Sequence, residues 1–351
     1  MYEWRADKEK QKALFGELWQ FIEDDEVTDI NYNCGNVWVK YINSIPKRVK
    51  LDTINDEFML NFSQRLGTMC GSAFNADVDT LEVDTANCRI TCIHEVLSVS
   101  GISVCIRKSL PTLRFTFEEA VENKYASREV MDLLINLVLA KVNMVLGGMP
   151  GEGKTEAVKF FSSYIPEYKN VVTIENATEL HYKMINPNKS CIELKVDNKG
   201  FQKALYSVLR TNANYIIFAE TRSREVRYLL ECWSNGIPCF TTLHLRDVNE
   251  VPDRIMNMLE SRQGGEDIIN EIYNHVGVGV LVKEEELEDG IIRRYIKQVS
   301  LFERMNGENL IHEVVKDGVL HKENIPENFR KRIEAEIKRD IFSHYEKAEV
   351  S

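Results

Sequence analysis

Gly148-Met-Pro-Gly-Glu-Gly-Lys154-Thr155 is the stretch whose reading decides the fold. It fits G-x-x-x-x-G-K-[ST], with the apolar run Asn143-Met-Val-Leu146 leading in and Glu156-Ala-Val-Lys-Phe-Phe161 leading out, so the motif lies between a strand and a helix. Gly148, Gly151 and Gly153 let the backbone curl until successive N–H groups face inward on a phosphate chain, and the following helix adds its partial positive N-terminus. The spacing assigns Lys154 to the β- and γ-phosphates and the Thr155 hydroxyl to Mg²⁺. Met149, Pro150, Glu152 and Glu156 complete the expected nucleotide-binding segment.

The bulk numbers suit a two-domain globular protein: 351 residues, of which 44% are hydrophobic. With 55 acidic and 44 basic residues the net charge is -11, which argues against a chain whose task is to coat nucleic acid. Eight cysteines are scattered without a C-x-x-C pair, the pattern of free thiols in a reducing compartment rather than of a zinc ribbon or a disulfide framework. The N-terminal residues lack an apolar signal core, and no stretch reaches the roughly 18 apolar residues of a membrane span. Membrane association is therefore expected only through a partner or a surface patch.

Along the chain, Leu14, Phe15, Leu18, Trp19 and Ile22 share one helical face, which predicts a docking helix over residues 1–25. Short strands (29–32, 36–42), a helix over 56–72 and two more strands (89–93, 102–107) predict a small α/β domain over 26–110. A proline and little periodicity near Lys108–Phe115 place a linker at 111–125. Thr116 and Ser127 read as helix caps. From 126 onward apolar strands alternate with helices, which predicts a mostly parallel sheet covered on both faces. Three of those strands end on Glu175, Glu220 and His244, and ligands bind such sheets beyond the carboxyl ends of the strands. The domain extends to 351 through a β-rich piece and a final helix carrying Phe329, Ile333, Ile337 and Ile341. The acidic run 284–289 reads as a solvated hairpin tip.

Triphosphate hydrolysis needs an in-line water, a group to polarise it, a metal and positive charge. Glu220, on a strand expected to lie beside that of the phosphate loop, is assigned to the water. Glu175 is assigned to the Mg²⁺ shell, through water, or to assisting the attack. His244 is either a γ-phosphate sensor or a structural histidine.

The segments 147–155, Thr173-Ile-Glu-Asn-Ala-Thr-Glu-Leu180, Ile216-Ile-Phe-Ala-Glu-Thr-Arg222 and Gly236-Ile-Pro-Cys-Phe-Thr-Thr-Leu-His244 resemble the four boxes of the secretion ATPases. Val27-Thr-Asp-Ile-Asn-Tyr-Asn, Asn36-Val-Trp-Val and Ile102-Ser-Val-Cys-Ile-Arg-Lys108 are similar to the tight-adherence (Flp) pilus and conjugation branch, so the likeness spans about residues 25–260. The resemblance implies a cytoplasmic homohexamer that hydrolyses ATP with Mg²⁺ to power pilus assembly, protein secretion or conjugation. It implies an α/β fold with a C-terminal RecA-like P-loop NTPase domain and a smaller N-terminal α/β domain. An integral-membrane platform protein at the inner face of the membrane is the implied partner, with no direct nucleic acid. It makes Glu175 the acidic-box carboxylate, Glu220 the Walker B glutamate and His244 the sensor. Arg107 and Arg89 match arginines that close over the phosphates, and Arg210 and Arg222 match basic positions around the Walker B strand.

Asn176 stands where the family usually has aspartate, Asn214 replaces another aspartate, and Glu152 and Glu156 fill positions that are usually small or hydroxylic. Slow turnover is compatible with those departures. Two other readings keep the fold: a nucleic-acid-translocating ATPase, against which stand the acidic balance and the lack of a basic stretch interleaved with aromatics in this chain, and a nucleotide-sensing assembly factor with little hydrolysis. Against a GTPase or small-molecule kinase, the chain has no N-K-x-D and its Walker B-like strand ends in Ala219-Glu220 rather than aspartate.

Overall fold

A computed structural model describes residues 8–85, 87–196, 200–222, 225–259 and 265–347. The chain divides into two compact units, Met1–Pro111 with Glu286–Ile292, and Thr112–Glu285 with Arg293–Ser351. Among the described residues no helix is long and apolar enough to cross a membrane.

The first unit begins with α1 (Lys8–Phe15) and α2 (Trp19–Glu23), continues through β1 (Val27–Asn33), β2 (Asn36–Tyr41), β3 (Lys47–Val49) and α3 (Asp56–Met69), and ends with β4 (Thr80–Asp84), β5 (Cys88–Ile93) and β6 (Ser103–Lys108). Its antiparallel sheet has the order β3-β2-β1-β6-β5-β4. Alternate residues (Ile30 and Tyr32, Val37 and Val39, Ile90 and Cys92, Val104 and Ile106) face a core shared with Met59, Phe62 and Leu66 of α3. The opening segment is not one helix. Gly16, at φ +55°, starts a 3-10 turn that splits it, and Leu14, Phe15, Leu18 and Trp19 belong to the same core as the sheet. The buried Lys108 ammonium donates to the carbonyls of Phe21 and Asp24, a cation on the negative end of α2. The turn at 288–290 hydrogen-bonds to this unit through Ile45 N–H and Gly290 O at 3.2 Å, so the acidic tip is not merely solvated.

The second unit opens with α4 (Phe117–Glu122) and α5 (Arg128–Leu139), started by the Thr116 capping box and the Ser127 hydroxyl. It proceeds through β7 (Met144–Gly147), α6 (Lys154–Ser162), β8 (Val171–Glu175), α7 (Tyr182–Ile185), β9 (Cys191–Lys195) and α8 (Phe201–Val208). Then come β10 (Tyr215–Phe218), α9 (Val226–Ser234), β11 (Cys239–Leu243), α10 (Val251–Met258) and α11 (Gly265–His275). The sequence pattern predicts helices over 223–235 and 248–261, whose ends at Ser223 and Ser261 fall outside the described residues. β12 (Val278–Glu286), β13 (Ile292–Met305), β14 (Glu308–Lys316), β15 (Val319–Leu320) and α12 (Glu327–Ile337) complete the chain.

The sheet runs β15-β14-β13-β12-β7-β11-β10-β8-β9, parallel from β12 to β9. Its central strands are buried at every position because both faces are covered: Met144 and Leu146 enter one core with α5, α6 and α12, while Val145 enters the other with α8, α9 and α10. α12 stops at Lys338, which has φ +58°, so Ile341 lies beyond the helix. It is nevertheless buried, because the side-chain amide of Asn136 donates to the carbonyls of Ile341 and Ser343.

One expectation is corrected by the strand order. β11, not β10, lies beside β7, so the strand ending on His244 is the phosphate loop's neighbour and Glu220 is one strand farther out. Sequence order carries no information about which parallel strand is inserted between two others.

Candidate functional site

The phosphate loop joins β7 to α6. Gly148 has φ +152°, and a Cβ there would meet the Val282 carbonyl oxygen at 2.8 Å, so only glycine fits the loop's entry. Gly153 has φ +96° and turns the chain into α6, whose first residue is Lys154. The Lys154 ammonium is buried and donates to the carbonyls of Gly148 and Met149, both at 2.9 Å.

β11 pairs with β7 so that Leu243 sits opposite Gly147, which brings His244 to the loop. Lys154 Nζ approaches His244 Nδ1 at 3.3 Å, and His244 Nε2 lies 3.2 Å from Glu220 Oε1. An ammonium can only donate, so Nδ1 accepts, and the tautomer that satisfies both contacts carries its proton on Nε2. Glu220 Oε2 accepts from Arg222 Nη2 at 2.9 Å. Lys154, His244, Glu220 and Arg222 thus form one continuous polar run at the carboxyl edge of the sheet.

Threonines fix its geometry. The Thr242 hydroxyl donates to Ala219 O at 2.8 Å, and Thr221 N–H donates to Thr242 O at 3.1 Å, which pins the backbone on both sides of Glu220 to β11. Burial pushes the Glu220 carboxyl up, but the Arg222 hydrogen bond and charge, with His244 and Lys154, outweigh it and hold the group below its ordinary value. Glu220 is therefore an anion at neutral pH.

Glu175 ends β8, three strand positions from β7 in the order β7-β11-β10-β8, a lateral offset of roughly 14 Å at ordinary strand spacing. Its buried carboxylate accepts from the backbone N–H groups of Glu179 and Leu180, at 2.9 and 3.1 Å. Burial pushes it up to about 7 against those two donors, so this acid changes charge near neutrality.

The remaining predicted residues are placed as follows. Glu152 is buried; its Oε2 accepts from Met149 N–H and its Oε1 meets Lys283 Nζ at 2.7 Å. Glu156 pairs with the buried Lys159 at 2.9 Å. Pro150 and Gly151 are exposed at the crest, while Met149 and Thr155 are half-buried. Arg222 joins the polar run. Arg210 does not: it is exposed in the turn between α8 and β10, at the amino end of β10, whereas the phosphate loop is at the carboxyl edge. Arg89 and Arg107 lie in the first unit as register partners on β5 and β6, paired with Asp84 at 3.6 Å and Asp29 at 3.2 Å.

Sequence reasoning missed Lys283 and Arg294. Arg294 on β13 donates from Nε and Nη2 to Gly151 O at 3.3 and 3.2 Å, and meets Glu284 at 3.1 Å. The Arg293-Arg294 doublet following the acidic run was an available signal of charge pairing across a hairpin.

A family model described as type II/IV secretion system protein matches residues 81–280. An uncharacterized protein of Bacillus anthracis is 23% identical over 285 residues, 80% of this chain and 60% of that protein. The type IV secretion system protein VirB11 of Bartonella quintana is 23% identical over 221 residues, 59% of this chain and 62% of that protein. The chain thus spans about 60% of the length of these curated relatives. Among solved structures, the Yersinia pseudotuberculosis ATPase DotB superposes with a TM-score of 0.60 at 15% identity, covering 86% of this chain and 80% of that one. That likeness shows a shared fold, the α/β P-loop architecture with a smaller N-terminal unit.

Proposed function

The chain belongs to the type II/IV secretion system protein family, and from that premise we propose that it is a Mg²⁺-dependent ATPase acting as a ring of six copies at the cytoplasmic face of a membrane. Its work is to drive pilus assembly, protein secretion or conjugation through an integral-membrane platform protein, without binding nucleic acid itself. The observation that carries the reading is the polar run Lys154–His244–Glu220–Arg222 beside the phosphate loop.

On binding, Lys154 exchanges the Gly148 and Met149 carbonyls for phosphate oxygens. The Thr155 hydroxyl, half-buried on the first turn of α6, fits Mg²⁺, which takes few protein oxygens and completes its shell with phosphates and water. Held by that hydroxyl, the ion would supply positive charge to neutralise the phosphates. Anionic Glu220 orients and polarises the attacking water, Arg222 holds that carboxylate, and His244 links it to Lys154, so that the imidazole registers the terminal phosphate. Glu175, near its titration point at neutral pH, is a second carboxylate on the same sheet edge.

Phosphate release from ATP and GTP by the purified chain, with and without single-stranded DNA, tests the reading, together with its mass in a non-hydrolysable ATP analogue. Hydrolysis unaffected by DNA and a six-copy mass support it. Strong DNA stimulation favours a nucleic-acid translocase instead, and no hydrolysis with tight ATP binding favours a nucleotide sensor.

A further inference from the structure

A carboxylate inside a loop built to hold a polyanion needs a physical explanation, and Glu152 supplies the problem. The residue is only 4% exposed, and its Oε2 lies 3.0 Å from where a Cβ on Gly148 would stand. Oε2 accepts from Met149 N–H while Glu152 N–H donates to Met149 O at 3.3 Å, so the side chain closes the 149–152 turn from behind. A desolvated anion in that position both costs stability and repels phosphate, unless a cation cancels it. Lys283 is that cation. β12 runs parallel to β7 with Leu281 opposite Gly147, which delivers Lys283 to the loop's edge, and its ammonium meets Glu152 Oε1 at 2.7 Å. Two acids that follow it on β12 have partners of their own: Glu284 pairs with Arg294, and Glu285 with Arg293.

Resting on the nucleotide-site reading above, we propose that Lys283 is a positioning residue for ATP, acting through Glu152. It holds the carboxylate as the brace of the Met149–Glu152 turn and cancels its charge as felt by the phosphates. Neither side chain is required to touch the nucleotide.

The test is equilibrium binding of Mg·ATP and Mg·ADP to the full chain by calorimetry, in parent, K283M, K283R, E152Q and E152Q/K283M, each checked for its unfolding transition. Charge compensation predicts opposite signs. K283M weakens ATP by about tenfold or more, and ADP less, because the extra phosphate feels the uncancelled anion; the loss shrinks in high salt. E152Q keeps an acceptor for Met149 N–H and leaves a net cation, so it binds ATP about twofold to threefold tighter than parent. K283R and E152Q/K283M return to within about threefold of parent. Should K283M fail to fold, E152Q and the double variant still carry the signs. Parent-like binding by K283M, ATP binding by E152Q no tighter than parent, or equal loss of both nucleotides without recovery in the double variant overturns the inference alone. A parent chain that binds neither nucleotide overturns the proposed function and this inference with it.

Discussion

Replacing Glu220 by glutamine separates chemistry from folding, because the structure predicts opposite sizes for the two effects. Glu220 is paired with Arg222 and His244, but its side chain is 32% exposed and theirs are 61% and 41% exposed. Ion pairs that open to water are worth about 1 kcal/mol or less each, and glutamine keeps the shape and one acceptor oxygen. The melting temperature of a domain this size should therefore move by no more than about 4 °C. The catalytic loss has a different scale. A group that polarises the attacking water contributes about 10²- to 10⁴-fold, or roughly 3–5 kcal/mol of barrier. Glu220→Gln is thus expected to bind ATP with an affinity within about threefold of parent while its kcat falls by at least about a hundredfold. Steady-state phosphate release and calorimetric ATP binding on the same preparation measure both. A kcat within about threefold of parent in a folded variant would refute the assignment of Glu220 to the water.

His244→Ala breaks the link between Lys154 and Glu220; the expected outcome is a kcat lower by about tenfold or more, with ADP affinity nearly unchanged, read from kinetics and ADP titration. Gly148→Ala drives a Cβ to 2.8 Å from the Val282 carbonyl at φ +152°, so ATP binding should be lost and the unfolding transition lowered by about 2–3 kcal/mol, measured by denaturant melts. Glu175 carries a pH signature: the folded chain keeps its proton up to about 7, whereas the unfolded chain releases it near the ordinary carboxylate value of 4.5. The native state then binds more protons across that window, so this contribution is fully present below it and is lost as pH rises through about 7, amounting to about 3 kcal/mol. Glu175→Gln should flatten the fall in melting temperature between pH 5 and pH 8; an unchanged slope would show that Glu175 is not its source.

Much of the site was legible because its chemistry is local in sequence. A glycine-rich loop between an apolar strand and a helix fixes Lys154 and Thr155, and apolar runs ending on Glu220 and His244 mark strand tips that a parallel sheet must gather at one edge. The spatial order of those strands was not legible. Placing β11 between β7 and β10 depends on how helices cover the two faces, and every one of these strands is buried throughout. Lys283 and Arg294 escaped for a related reason: they reach the loop from strands more than a hundred residues downstream, and a lysine in an acidic run reads as surface charge. Its partner Glu152 stands out in the sequence only as an acid in a loop position that is usually small or hydroxylic. The opening helix was over-extended because its apolar spacing continues through Gly16, where the backbone turns left-handed.

The central claim is that Lys154 and its loop grip the phosphates of a nucleotide that the chain hydrolyses. Phosphate release from Mg·ATP by the purified parent and by Lys154→Ala, assayed side by side at matched folding, tests it most directly. Steady turnover by the parent that falls to background in the variant is the predicted result; equal turnover by both, or ATP binding undiminished in Lys154→Ala, would contradict it.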